Sequence, residues 1–173
     1  GFGCNMVALV NGVPRTLSLK EMLHYYILHQ EEVVERRTRY DLAKAEARAH
    51  ILEGFVIALD NIDEVIRIIR ASKTDAEAKA SLMESFSLSE KQSEAILEMK
   101  LRRLTGLERE KIEQELAELR EKIEYFKRVL SDKELLKQII KDELLEMKEK
   151  YNSKRLTKIT DEVKELDVED LIA

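Results

Sequence analysis

The chain has 173 residues, of which 38% are charged and 44% hydrophobic, and its formal net charge is −5. Alanine, glutamate, leucine, lysine and arginine supply 93 of these residues, whereas there are five glycines, one proline and no tryptophan. That composition is typical of coiled coils and long helices, and it argues against sandwiches, barrels and doubly wound sheets. Cys4 is the lone cysteine, which excludes an internal disulfide and favours a reducing, cytoplasmic location. No apolar run reaches the length of about 18 residues that crosses a bilayer, so we expect no membrane partner.

Residues 1–17 are predicted to contain a short β-hairpin. Asn11 and Gly12 separate two apolar stretches, and both residues tolerate the positive φ that a tight hairpin turn requires. Pro14 restricts the second strand to the edge of a sheet. Because two strands alone are marginally stable in water, we expect the sheet to be completed by sequence outside this chain.

Residues 18–59 are predicted to form one long descending helix. Ser18 followed by Glu21 is the pattern of a capping box, and no proline interrupts the helix after it. A helix of this length extends about 60 Å. One heptad position is mostly apolar, and we predict that it forms a coiled-coil seam. Its members are Leu19, Tyr26, Val33 and Tyr40.

Residues 60–105 are predicted to form a small globular helical domain. Three further pairs with capping-box spacing divide this stretch: Thr74 and Glu77, Ser89 and Gln92, Thr105 and Glu108. Apolar residues are concentrated near its end, namely Ile96, Leu97, Met99, Leu101 and Leu104. They could all belong to the core of this domain, or they could form a patch through which two copies associate.

Residues 106–151 are predicted to form a returning helix, with a break near 131–134. Its seam is regular and consists of Ile112, Leu116, Leu119, Ile123, Phe126 and Leu130. The two long helices are similar in length and flank a compact insert, so we predict an antiparallel pair in which Tyr40 lies opposite Phe126. Residues 152–173 read as an acidic tail or linker. The fold class is therefore mainly α, a long antiparallel coiled coil with a globular helical tip and an N-terminal hairpin.

Candidate chemistry in this sequence is sparse. The run from Arg36 to Tyr40 could clamp a phosphate, or Tyr40 could act as a nucleophile activated by Arg39. We favour a structural role, with Tyr40 in the seam and the arginines paired to the neighbouring acids Glu32, Glu35 and Asp41. The three histidines lack the spacing of metal ligands, and no glycine-rich phosphate loop is present. We therefore expect no catalytic, cofactor or metal site in the chain. Outside the acidic tail the charge is balanced, which predicts weak binding to duplex DNA.

Several sequence blocks resemble one protein family. They include Val34-Glu-Arg-Arg-Thr-Arg-Tyr-Asp-Leu, Lys44-Ala-Glu-Ala-Arg-Ala-His-Ile-Leu-Glu-Gly and Leu101-Arg-Arg-Leu-Thr-Gly-Leu-Glu-Arg-Glu-Lys-Ile. From residue 1 to about 155, the chain resembles the A subunits of bacterial DNA gyrase, which is a type IIA topoisomerase. The topoisomerase IV counterpart shares much of the pattern.

The resemblance implies an isomerase that cuts one DNA duplex, passes a second through it and reseals the first, producing negative supercoils. In that family, matching residues form the last strands of the tower (1–17), the coiled coil (19–59 and 106–151) and the exit gate, or C-gate (60–105). The resemblance also implies a homodimer that assembles with two B subunits, which bind ATP and Mg²⁺. No tyrosine here has the context of the family's catalytic tyrosine, so the fragment alone would be inactive. A generic coiled-coil tether that binds a protein partner is the alternative outside this family.

Overall fold

The computed structural model describes residues 3–99 and 105–158 of the chain. The elements are β1 (Met6–Val10), β2 (Val13–Leu17), α1 (Leu19–Asp60), α2 (Ile62–Ala71), α3 (Asp75–Phe86), α4 (Glu90–Leu97), α5 (Gly106–Ser131) and α6 (Lys133–Tyr151). The mainly helical fold with an N-terminal hairpin is therefore confirmed. By its contacts the chain divides into two units, residues 1–140 and residues 141–173. Most of the predicted acidic tail lies outside the described residues.

The N-terminal hairpin has the turn that its sequence predicts. Strands β1 and β2 pair antiparallel, with Val10 opposite Val13, and the turn residues Asn11 and Gly12 have φ angles of 51° and 79°. These left-handed conformations are open to asparagine and glycine because of their small or absent side-chain clash. Leu17 is buried, whereas Val7 on the opposite face of the sheet is 63% exposed.

Helix α1 begins at the capping box that the sequence predicts. The hydroxyl of Ser18 accepts a hydrogen bond from the backbone N–H of Glu21, and the Glu21 carboxylate accepts one from the backbone N–H of Ser18. This reciprocal bonding satisfies two of the donors that a helix start leaves free. Hydrogen bonds from Ser18 also lower the pKa of the Glu21 carboxyl. The predicted caps Thr74, Ser89 and Thr105 likewise accept hydrogen bonds at the starts of α3, α4 and α5.

The seam predicted on α1 is wrong. Leu19, Tyr26 and Tyr40 are 63%, 48% and 68% exposed, and Val33 is also exposed. The buried face of α1 instead follows Val34, Thr38, Ala45, Ala49 and Leu52. Small side chains allow neighbouring helices to approach closely, and the Thr38 hydroxyl donates a 2.7 Å hydrogen bond to the Val34 carbonyl, so its burial leaves no donor unpaired. The large apolar residues therefore mark a face of α1 that does not contact α5.

Helices α1 and α5 form an antiparallel pair around the first of two apolar clusters that the described residues form. Ile112 and Leu116 of α5 are buried together with Ala49 and Leu52 of α1. Leu119 and Ile123 pack against this cluster and are half-buried, as are Phe126 and Leu130 further along α5. The face predicted for α5 therefore lies inward, although the α1 residues that it meets differ from the predicted ones.

A second, smaller cluster lies where α5 gives way to α6. It consists of Val34, Val129, Leu136 and Ile140, all buried. Asp132 separates the two helices with extended backbone angles, and its carboxylate accepts a 3.0 Å hydrogen bond from the backbone N–H of Glu134. Asp132 thus ends one helix and caps the next, which accounts for the predicted break near residues 131–134.

Helices α2, α3 and α4 form a compact helical body against the C-terminal end of α1. Val65, Leu82, Leu88 and Ile96 from this body bury themselves against Phe55 and Leu59 of α1. We refer to residues 61–99 as the α2–α4 body. Its core is continuous with the first apolar cluster, so the body and the adjoining parts of α1 and α5 form one hydrophobic unit.

A row of ion pairs runs along one edge of the α1–α5 contact. Glu46, Glu53 and Asp60 are seven residues apart on α1, and they pair with Lys127, Arg120 and Arg109 of α5, respectively. On the other edge the Arg48 guanidinium donates two hydrogen bonds to Glu115, at 2.8 and 3.2 Å, and this contact raises the pKa of Arg48. Opposite charges at heptad spacing favour the antiparallel register that the seam alone would leave loosely specified.

Reversing one charge in this row tests its role in register. Glu53→Arg places a cation beside Arg120, and we expect a loss of about 0.5–1 kcal/mol in the free energy of unfolding, because the pair is partly exposed. Combining it with Arg120→Glu restores opposite charges and should recover at least half of the loss. Urea denaturation of the single and double variants measures this coupling. Glu118→Arg on the exposed surface of α5 is the control, and purely additive effects would contradict the prediction.

Candidate functional site

The α2–α4 body is held to α1 by a polar junction between α1 and α4. We define the α1–α4 junction as His50 and Gly54 of α1 together with Ser89, Gln92 and Ser93 at the start of α4. Ser89 and Gln92 form a capping box, in which the Ser89 hydroxyl accepts a hydrogen bond from the Gln92 N–H. The same cap therefore starts α4 and presents its polar groups to α1.

Both the oxygen and the nitrogen of the Gln92 side-chain amide form hydrogen bonds. Its Oε1 accepts a 3.0 Å bond from the Ser89 N–H, and its Nε2 donates a 2.7 Å bond to the backbone carbonyl of His50. Nε2 also lies 3.4 Å from Nδ1 of His50, while Nε2 of that imidazole lies 2.6 Å from the Ser89 hydroxyl. The amide nitrogen can only donate, so a hydrogen bond between these two atoms requires an unprotonated Nδ1 on His50. The arrangement fixes the orientation of α4 on α1.

Gly54 allows α4 to come this close. A Cβ atom added at Gly54 would lie 2.9 Å from both Cβ and Cγ of Gln92, closer than real Cβ contacts allow. Gly54 is buried in the interior of a helix, where glycine costs roughly 1 kcal/mol relative to alanine. The close approach of Gln92 is the physical reason for glycine at this position.

Ser93 is the one fully buried polar side chain in the described residues whose hydroxyl has no hydrogen-bond partner. It is 0% exposed and lies one residue after Gln92, on the side of α4 that faces the core. A buried hydroxyl without a partner costs about 1–3 kcal/mol. The small volume of serine suits this tight contact, but its polarity opposes folding.

The residues predicted to mediate association divide between the core and the surface of the α2–α4 body. Ile96 is 3% exposed and belongs to the apolar core, so its predicted role in a contact between copies is wrong. Its side chain packs inward because α4 needs one apolar face against α1 and α3. Leu97 and Met99 are half-buried and pack against the same core with part of their surface accessible. Leu101 and Leu104 lie outside the described residues.

The shifted pKa values in the described ranges belong to surface ion pairs and a helix cap. Hydrogen bonds from Lys79 lower the pKa of Glu90, and Asp60 followed by Glu113 raises the pKa of Arg109. Arg67 lowers the pKa of Glu64 in the same way. Each of these hydrogen bonds stabilises the charged form of the group, as is expected in structural ion pairs. Groups that exchange protons during a reaction usually show pKa values shifted toward the working pH.

Across residues 3–99 and 105–158, no three histidine, cysteine, aspartate or glutamate side chains are grouped so that they could hold a metal ion. None of the helices in these ranges is apolar over a length sufficient to cross a bilayer. What the ranges do contain is packed helices, ion pairs and the polar α1–α4 junction.

The sequence alone does not predict the α1–α4 junction, although it carries half of the signal. The pair Ser89 and Gln92 has the spacing of a capping box, which accounts for the local bonding of α4. The second signal is Gly54, a glycine in the interior of a long helix, which often has a packing reason. Nothing in the spacing of the sequence indicates that His50 and Gly54 face this cap.

Alanine substitutions at two glycines test the close approach. Gly54→Ala should destabilise the protein by about 1–3 kcal/mol, because the new methyl group overlaps Gln92 and the core cannot expand freely. Gly106→Ala, at the start of α5, meets no atom within 4 Å and should be neutral or slightly stabilising. Thermal unfolding followed by circular dichroism compares the two. Equal effects would refute the role assigned to Gly54.

Two serines at the start of α4 should respond to alanine in opposite directions. Ser89→Ala removes the cap of α4 and a partner of His50, and we expect a loss of about 1 kcal/mol. Ser93→Ala removes only a hydroxyl without a partner, and we expect a gain of about 1 kcal/mol. Denaturant unfolding of both variants provides the measurement. A destabilising Ser93→Ala would show that this hydroxyl is satisfied in solution.

Comparison with known proteins relates this chain to one family. The family model that describes the A subunits of DNA gyrase and topoisomerase IV matches residues 1–145. The chain is 60% identical over 172 residues to the DNA gyrase A subunit of Streptococcus pneumoniae strain R6, covering 99% of this chain and 21% of that protein. It is 57% identical over 171 residues to the DNA gyrase A subunit of Clostridium acetobutylicum, with 99% and 21% coverage.

A further relative extends the same pattern. The DNA gyrase A subunit of Staphylococcus aureus strain MRSA252 is 54% identical over 172 residues, covering 99% of this chain and 19% of that protein. The chain thus spans about a fifth of the length of the curated relatives it matches. Since the family model matches well over half of the chain, the chain belongs to the family of DNA gyrase and topoisomerase IV A subunits.

Proposed function

We propose that this chain is the coiled-coil and exit-gate part of the A subunit of a bacterial DNA gyrase. The observation that carries the proposal is an antiparallel pair of long helices, α1 and α5, with a compact helical body inserted between them in a member of this family. The names of the relatives favour gyrase over the topoisomerase IV counterpart, which remains the second candidate.

The proposed role is mechanical. Two copies associate through their α2–α4 bodies and hold the dimer together while the cut DNA ends are apart at a distant site. A second duplex passes between the α1–α5 helix pairs of the two copies and leaves when their α2–α4 bodies separate. Continuity of the core from the body into α1 and α5 supports this role, because force applied to the helices reaches the body through packed side chains.

The chemical steps are assigned to other parts of the holoenzyme. DNA cleavage belongs to a tyrosine elsewhere in the gyrase A protein. ATP and Mg²⁺ bind to the partner B subunits, in a cytoplasmic complex of two A and two B subunits. The described part of this chain offers surfaces and ion pairs for that assembly. Its share of the supercoiling reaction is to keep the dimer closed and then let the duplex leave.

Leu97 and Met99 are the described residues that best fit a contact between copies. They lie at and just beyond the end of α4, keep part of their surface accessible and are anchored on the core by the rest. The nearby residues Leu101 and Leu104 extend the apolar character in sequence. An apolar patch anchored on a rigid body suits an interface that must close firmly and still open.

Sedimentation of the purified chain tests the proposed dimer. At about 20–50 μM, where a specific interface of micromolar affinity is populated, we expect a dimer by analytical ultracentrifugation. Leu97→Glu and Met99→Glu together should yield a folded monomer, because two buried charges without partners oppose association. A wild-type monomer at these concentrations would contradict the proposal.

Crosslinking separates a self-associating gate from a generic tether. In a Cys4→Ser background, needed because Cys4 is exposed, Met99→Cys should form symmetric dimers with a short bis-maleimide reagent. Glu118→Cys, on the exposed surface of α5, is the matched control and should react only as a monomer. A tether that uses this tip for a different protein predicts no crosslink at either position.

A further inference from the structure

The C-terminal half of α6 exposes an apolar stripe. Leu144, Met147 and Tyr151 follow one another at helical spacing, so their side chains share one face of the helix. They are 41%, 54% and 66% exposed. We refer to these three residues as the α6 stripe, and they extend about 10 Å along the helix. Large apolar side chains that are both adjacent and exposed mark a surface that another segment covers.

The surroundings of the α6 stripe are basic. Residues 147–158 contain five cations and one acid, Glu149, so their net charge is +4. Lys148 lies four residues after Leu144 and therefore borders the stripe. The five cations are all exposed: Lys148, Lys150, Lys154, Arg155 and Lys158. An occupant that suits this surface has apolar side chains for the stripe and negative charge for its edge.

The end of this chain has a sequence that matches both requirements. Residues 159–173 lie outside the described residues. From residue 161 to residue 173 there are six acids and one lysine, which gives a net charge of −5. Leu166 and Val168 alternate with acids, namely Glu165, Asp167 and Glu169. In an extended segment alternate side chains lie on opposite sides, so the two apolar residues can contact the stripe together while long lysine side chains reach the acids.

The connection between the α6 stripe and the acidic segment is long enough for the segment to return along α6. Residues 152–158 contain no helix or strand, and seven residues extend at most about 25 Å. That reach is more than twice the length of the stripe. A short connection also keeps the segment at an effective concentration on the order of millimolar, so that even a weak contact is populated.

We propose that the acidic segment, residues 161–170, docks on the α6 stripe and neutralises the basic residues around it. Leu166 and Val168 lie against Met147 and Tyr151, and the acids of the segment pair with the cations of residues 148–158. Docking changes the net charge at this end of α6 from +4 to −1. An anion that approaches these cations from outside therefore has to displace the segment first. The contact is independent of the proposed function, because it involves only the unit of residues 141–173.

Disulfide equilibria measure this contact within the 173-residue chain. In a Cys4→Ser background, Met147→Cys and Val168→Cys place one thiol on the stripe and one on the segment. Glu146→Cys with Val168→Cys is the matched control, because Glu146 lies on the opposite face of α6 at nearly the same distance along the chain. In a buffer of reduced and oxidised glutathione, we expect the effective concentration of the first thiol pair to be at least about tenfold higher than that of the control pair. Equal values would refute the docking.

Charge variants test whether the acids hold the segment in place. Neutralising three acids of the segment should lower the preference for the stripe at least about threefold, and about 1 M salt should do the same because it screens charges beyond about 3 Å. The variant combines Glu165→Gln, Asp167→Asn and Glu169→Gln. Its control makes the same change in net charge at exposed positions of α5, with Glu118→Gln, Glu121→Gln and Glu124→Gln, and should leave the preference unchanged. Equal effects of the two variants would contradict the proposed pairing.

Other occupants of the α6 stripe predict different results. If a second copy covered the stripe, Met147→Cys alone in the Cys4→Ser background would form a covalent dimer at about 20 μM much more readily than Glu146→Cys. If an unrelated protein covered it, the two thiol pairs would show the same effective concentration. Either result would overturn the proposal. Circular dichroism verifies that each variant is folded.

Discussion

The structure depends on the close contact between α1 and α5, for which α1 supplies small side chains. Ala45 and Ala49 let the helices approach, and Leu52 meets the apolar face of α5 around Ile112 and Leu116. The α2–α4 body adds its own core to the end of this contact, so that the body and the α1–α5 pair share one hydrophobic cluster. A chain with 5% aromatic residues builds a continuous core in this way because narrow seams need little volume.

Helix ends in this chain are more predictable from sequence than helix faces. Helix starts depend on local hydrogen bonds between residues three apart, and Ser18, Ser89 and Thr105 cap their helices as expected. The face of α1 depends instead on which residues its neighbour contacts. The large side chains of Tyr26 and Tyr40 predict a buried face that is in fact exposed. The seam that is buried includes threonine and alanine, whose hydropathy scarcely differs from that of surface residues.

The candidate site shows the same division between local and distant information. The capping box of α4 can be read from sequence, but its contact with His50, about forty residues earlier, cannot. Likewise the apolar run near residue 100 contains both core and accessible positions, and only packing separates Ile96 from Leu97 and Met99. Family membership then supplies what geometry does not, since it relates the chain to the A subunits of DNA gyrase and topoisomerase IV.

The separation of the two apolar clusters has a consequence for how the molecule loosens. Among the described residues, the cluster around Val34 has four buried members and adjoins the helix break at Asp132, whereas the larger cluster has twelve. Local opening free energies follow the amount of apolar packing, so amide protons near Val129 and Leu136 exchange with solvent before those near Leu52 and Leu82. The helices can therefore open locally near Asp132 while the α2–α4 body remains folded.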